Sequence, residues 1–296
     1  MIRNALLVGG LGVCWGLNWP AVRLCLAEMP PWTLRAAGFT AAAALAFPLL
    51  AALGMSAAVP RRHWGRLALV GVLTVVAYNL LTAFAQLSAS TTRSAVLSYT
   101  MPVWAVLGAR VVLGEVIDGR RLAGLGLGGA GLAALGLPLA ESGQLTIGLL
   151  YAMLSGVVWA AGSVLLKRFP IEAAPLVIAA WQLALGAVVT VPGMLLLEGW
   201  PRSHPQLALT WGAFIYHVVF AQVVAMWLWF TILDRMPAGI ASIGSLLVPG
   251  VGVIGATLIL GEHPTGADWL GLLFIVAASA TVLLRPALAA RVRAEP

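Results

Sequence analysis

Tyr78, Asn79, Thr82 and Gln86 lie inside one long apolar run, and their spacing keeps Tyr78, Thr82 and Gln86 close to a single helix face. Their chemistry is uncharged hydrogen bonding. Asn18, Ser163 and Gln222 are polar residues of the same kind in other apolar runs. At bilayer depth such side chains are costly unless they meet partners or water. The stripe therefore points either to polar helix contacts or to a wet cavity that takes a solute. Trp15, Tyr99 and Trp159 would supply stacking walls for an apolar solute, the alternative role being that of interface anchors. Met101 offers a flexible thioether, useful for varied solutes or for ordinary packing. His217 is the one histidine inside an apolar run; it can bind a carboxylate, carry a proton, or simply be hydrogen-bonded.

Three prolines stand in or beside these runs. Pro102 withholds a hydrogen bond from the carbonyl of Ser98, and Pro249 from that of Ser245, so both serines join the candidates. Each kink is either satisfied by its serine or is a bend that shapes a cavity and acts as a hinge; Pro20 is the third candidate hinge. All ten acidic residues fall in loops, tails or helix ends, which leaves no catalytic cluster and no set of metal ligands. Neither a catalytic residue, a metal nor a cofactor is expected. Arg23, Arg35 and Arg110 stand near helix ends, where long side chains snorkel to the interface. With no Lys or Arg expected at mid-depth, the reading favours a neutral or zwitterionic solute over a phosphorylated one.

The elements that must position these groups follow from composition. Of 296 residues, 61% are hydrophobic and 9% charged, against about 25% charged in soluble domains. Mean hydropathy is +0.99. An all-α polytopic membrane protein follows, with the lipid bilayer as its first partner. The net charge of +7 does not indicate nucleic acid, because the bases stand singly or in pairs between apolar runs. Cys14 and Cys25 share one expected helix roughly 16 Å apart, beyond disulfide reach. The first segment imitates a signal peptide, but Trp15, Asn18 and Trp19 and its length mark it as a span.

Ten apolar segments are long enough to cross a bilayer: roughly 4–27, 31–53, 64–88, 92–113, 121–139, 145–167, 172–197, 208–233, 238–260 and 267–285. With the N-terminus inside, twelve Lys and Arg collect on one face and two, Arg93 and Arg202, on the other. That bias puts both termini in the cytoplasm. The expected units are 1–140, 141–286 and a basic cytoplasmic tail, 287–296.

The two larger units align. At an offset of 144, Gly12, Val13 and Trp15 meet Gly156, Val157 and Trp159, and Pro48 meets Pro192; at 147, Pro102 meets Pro249 and one Leu-Gly-Glu meets the other. Five spans per repeat is odd, so the halves run through the membrane in opposite senses, an arrangement recurrent in secondary transporters.

The paired segments "MPVWAVLGARVVLGE" and "LVPGVGVIGATLILGE" resemble those of the EamA family of the drug/metabolite transporter superfamily, over essentially the whole chain. Within it the chain resembles the YddG-type exporters of aromatic amino acids. The resemblance implies a central cavity, with the fifth and tenth helices at the periphery; the expected lining is helices one, three, four, six, eight and nine. It further implies a bacterial inner-membrane exporter of aromatic and other hydrophobic amino acids and similar small metabolites, working by alternating access; the absence of an acidic residue from the interior of the expected spans favours facilitated export over proton coupling. Proton-coupled multidrug export and, from another class, an intramembrane lipid-modifying enzyme are the alternatives. The oligomeric state is open, a monomer being compatible. The six glycines at 124, 126, 128, 129, 131 and 136 read as close helix packing.

Overall fold

The structure is a computed structural model that describes the backbone of residues 2–141, 144–201, 204–228 and 238–283, and side chains for 6–141, 144–201, 204–228 and 247–281. Ser245, the tail 287–296 and the bases Arg3, Arg202, Arg235, Arg285, Arg291 and Arg293 lie outside the residues described to the side chain. All regular structure among the described residues is helical. Among the described residues, seven helices are long and apolar enough to cross a membrane: Pro31–Ala52, Arg61–Ser88, Thr91–Leu113, Gly119–Glu141, Ile147–Arg168, Pro175–Leu197 and Ala208–Leu228.

In chain order the helices are α1 (Ile2–Gly16), α2 (Asn18–Cys25), α3 (Pro31–Ala52), α4 (Trp64–Gly71), α5 (Tyr78–Ser88), α6 (Thr91–Ser98), α7 (Met101–Leu113), α8 (Gly119–Glu141), α9 (Ile147–Arg168), α10 (Pro175–Leu197), α11 (Ala208–Tyr216), α12 (Ala238–Leu260) and α13 (Gly266–Leu283). A wider π-helical segment, Val72–Ala77, joins α4 to α5, and a second, His217–Val224, continues α11. The two occupy corresponding places in the halves.

Proline explains the main breaks. Pro20 has no N–H for the carbonyl of Gly16, and the first segment breaks at Leu17 between α1 and α2. Pro102 sits in the first turn of α7, where a missing N–H costs nothing, and the chain turns through Tyr99 and Thr100. Pro249, its counterpart at offset 147, stays inside the continuous α12. The duplicated proline thus interrupts one helix and is absorbed by the other.

The repeated Leu-Gly-Glu is a helix stop. Gly114 and Gly261 have φ of 68° and 67°, the left-handed conformation that closes a helix cheaply only in glycine. The next residue turns back in both places: the N–H of Glu115 reaches Ala109 O and that of Glu262 reaches Ala256 O, each at 3.2 Å. The glutamates then part company. Glu262 caps α6 by accepting from the N–H groups of Thr91 (2.7 Å) and Thr92 (2.9 Å), whereas Glu115 pairs with Arg121 and Lys167.

Packing follows the same exchange of halves. α3 lies along α10 and α8 along α13; α1 and α2 pack on α12 as α6 and α7 pack on α9; α2 meets α11 as α9 meets α5. Swapping first for second half returns the same set of pairs. A residue-level copy of this exchange is visible at the loops. Glu28 accepts from the N–H of Gln206 (2.8 Å) and Leu207 (3.1 Å) and from the Thr210 hydroxyl, while Glu172, 144 residues on, pairs with Arg62, 144 residues before Gln206. Small residues permit the close crossings: Cβ atoms at Gly156 and Gly148 would lie 2.8 Å from Ser98 O and 2.6 Å from Ala85 O. Of the α8 glycines, Gly128 and Gly131 are in such contacts, whereas Gly126, Gly129 and Gly136 face open space.

Candidate functional site

Between the halves lies a cavity of about 160 Å³. Asn18 and Trp15 reach it from the first segment, and Tyr78, Asn79, Thr82 and Gln86 from α5. Tyr99 and Met101 enter where α6 breaks into α7, Trp159 from α9, and His217 and Gln222 from the π-helical segment after α11. Two expected residues are elsewhere. The Ser98 hydroxyl is buried against α9, 2.7 Å from the hydroxyl of Ser155, because the chain turns only at the next residue. Ser163 is exposed on the outer face of α9 and its hydroxyl donates to its own helix at Trp159 O. Trp15 and Trp159, equivalent in the repeat, both line the cavity.

The lining also departs from expectation in its helices. α3 contributes Arg35 and Phe39, and α10 contributes Gln182 and Leu183, none of which the spacing of polar residues singles out. Among the described residues α12 contributes none. α8 and α13 likewise pack on each other away from the cavity.

Arg35 overturns one expectation outright. It does not snorkel to an interface; it is 1% exposed and turned inward. Its helix starts at Pro31, so Arg35 stands only one turn in, but α3 is packed on α10 and crosses α5, which directs that face to the interior. The guanidinium is held by Asn79 O (Nε, 3.0 Å), His217 Nε2 (Nη1, 3.2 Å) and Thr82 Oγ1 (Nη2, 3.4 Å). Among the described residues no carboxylate pairs with it.

Arginine can only donate, so Nε2 of His217 carries the lone pair. The ring proton then sits on Nδ1 and is donated to Asn18 Oδ1 at 2.7 Å. Gln222 Nε2 also donates to Nε2, at 2.8 Å, which leaves Gln222 Oε1 buried with no partner. The imidazole is thereby fixed as a neutral acceptor beside a cation.

The π-helical segments supply backbone acceptors at the same place. A wider turn releases carbonyls from the regular ladder, and side chains take them up: Asn79 Nδ2 donates to Val75 O at 2.8 Å, and Trp15 Nε1 to Ala221 O at 3.1 Å. Tyr78 packs on Trp159 with ring centroids 4.9 Å apart and ring planes tilted at 58°. The result is a largely apolar, aromatic-walled chamber with one cation and a few aligned amides.

Comparison with known proteins agrees with this architecture. The chain matches the EamA-like transporter family over residues 3–137 and 146–284. It is 30% identical to a Bacillus subtilis (strain 168) protein described as the uncharacterized transporter YvbV, over 93% of this chain and 89% of that one. A crystal structure 22% identical in sequence superposes with a TM-score of 0.66, covering 97% of this chain and 99% of the other, a likeness of fold.

Proposed function

The chain belongs to the EamA-like transporter family, and on that premise we propose that it exports small apolar metabolites across the bacterial inner membrane. Aromatic and other hydrophobic amino acids are the first candidates, carried by alternating access. In this reading ten spans form two inverted halves with both termini in the cytoplasm, α1 with α2, α12 and α13 completing the seven long helices. The carrying observation is the cavity itself: it lies where the halves meet, and its walls combine packed aromatics with amide and hydroxyl groups and one guanidinium. The exchange of packing pairs between halves supports it, because an inner closure then has a structural counterpart outside.

The walls favour facilitated export over proton coupling. Protonated His217 would set N–H against the Arg35 and Gln222 donors, so this imidazole is poorly suited to shuttle protons. Among the described residues no Asp or Glu lines the cavity. Counterflow in proteoliposomes, with labelled phenylalanine, tyrosine, tryptophan and leucine and with or without a pH gradient, tests the proposal. Exchange of aromatic and apolar amino acids at a rate indifferent to the gradient is the expected result; no exchange of any of them refutes the substrate class.

A further inference from the structure

Arg35 gives the cavity a sign. Burying a cation with no anion beside it is costly, and its three protein partners are a carbonyl, a hydroxyl and a neutral imidazole. Those bonds occupy three of the five N–H groups, leaving one on each terminal nitrogen. Two such donors on one guanidinium are what a carboxylate accepts, through short charge-assisted bonds. Close by, on the other side of the His217 acceptor nitrogen that both residues share, Gln222 Oε1 is a buried acceptor with nothing to accept.

We infer that Arg35 is the docking point for the carboxylate of the transported solute, with Gln222 Oε1 accepting an N–H or O–H from the substituent on the adjacent carbon. This rests on the transporter reading of the same cavity and sharpens it. The carboxylate is obligatory, because it alone neutralises the buried cation. The neighbouring ammonium is replaceable by a hydroxyl, because its partner is a neutral amide oxygen and no acid faces it among the described residues. The apolar remainder lies toward the Tyr78 and Trp159 rings. His217 and Asn18 are positioning residues that fix the guanidinium from behind.

The test uses purified full-length protein and three probes: L-phenylalanine, L-3-phenyllactate, in which a hydroxyl replaces the ammonium, and L-phenylalaninamide, which lacks the carboxylate. A ligand that binds only the folded state raises the melting temperature in a saturable way. Phenylalanine and phenyllactate are expected to do so within about threefold of each other in concentration, and the amide at a concentration at least tenfold higher, the loss expected for a charge-assisted contact. Arg35→Gln should erase the preference for the acids and Arg35→Lys should keep part of it. If either variant does not fold, the wild-type comparison alone decides. Equal responses to amide and acid, or no response to any probe, overturn the assignment. Counterflow on the same preparation separates the two readings: a carboxylate that binds through Arg35 but never exchanges across the bilayer refutes transport and leaves the docking point standing.

Discussion

Replacing Gly156 by alanine probes the joint that shapes the cavity. The new methyl would stand 2.8 Å from the backbone oxygen of Ser98, 3.2 Å from Thr100 Oγ1 and 3.3 Å from Met101 N. Its nearest neighbour is backbone, so relief requires α9 to move away from the α6–α7 turn by several tenths of an ångström. Overpacking of this kind costs about 1–3 kcal/mol. Alanine recovers about 1 kcal/mol of helix propensity over glycine, so the net loss against the wild type is up to about 2 kcal/mol, and the loss against a helical glycine with open space around it is about 1–3 kcal/mol. Gly129→Ala is the matched control: it lies in a helix, and a Cβ there meets nothing within 4 Å. Thermal unfolding followed by tryptophan fluorescence in detergent should place Gly156→Ala below the wild type and Gly129→Ala at or above it. Because Tyr99 and Met101 line the cavity on the displaced turn, transport should fall in Gly156→Ala alone. A Gly156→Ala protein as stable as Gly129→Ala, or a control equally destabilised, refutes the close-packing argument.

Other consequences are open to measurement. Glu262→Ala removes the acceptor for the N–H groups of Thr91 and Thr92, so the melting temperature should drop by the equivalent of about 1–3 kcal/mol, with Glu262→Gln intermediate. Trp15→Phe keeps an aromatic face but strands Ala221 O, and should cost about 1 kcal/mol while transport persists at a reduced rate. The Thr210 hydroxyl beside Glu28, the Lys167 ammonium beside Glu115 and the Arg62 guanidinium beside Glu172 each hold a carboxyl below its ordinary value. Depressed carboxylates stabilise the fold above the unfolded value of about 4.3 and lose that contribution as the pH falls through their folded values. Melting temperature should therefore be flat from neutrality to about pH 5 and fall below it, with a smaller fall in the Glu28→Gln, Glu115→Gln double variant; an unchanged acid limb in that variant contradicts the assignment.

Much of the frame was legible because lipid makes length and hydropathy decisive. Nine of the ten expected segments have described helical counterparts whose ends agree within about three residues, and the eighth is described as far as Leu228. The α5 stripe was legible from spacing alone, since Tyr78, Thr82 and Gln86 cannot leave one helix face. Arg35 was not: one turn from a helix end, a guanidinium has the reach either to snorkel or to turn inward, and only the packing of α3 against α10 and α5 decides. Gln182 and Phe39 went unnoticed for the same reason, lying in helices whose polar content is too sparse to show a stripe. Ser98 and Ser163 were misplaced by reasoning from the carbonyls and runs they occupy rather than from helix rotation. The π-helical segments carry no distinct residue signature, though both host the polar groups that line the cavity.

A cavity open in turn to either side of the bilayer must expose Met101 to both. Cys14 and Cys25 are free thiols, one partly exposed and one buried, so Met101→Cys in a Cys14→Ala, Cys25→Ala background carries a single thiol on the cavity wall. A membrane-impermeant maleimide is applied to right-side-out and to inverted vesicles, with and without phenylalanine. Labelling from both faces is expected, slowed by phenylalanine on each. Labelling from one face only under every condition, or from neither, contradicts a cavity that opens alternately to the two sides.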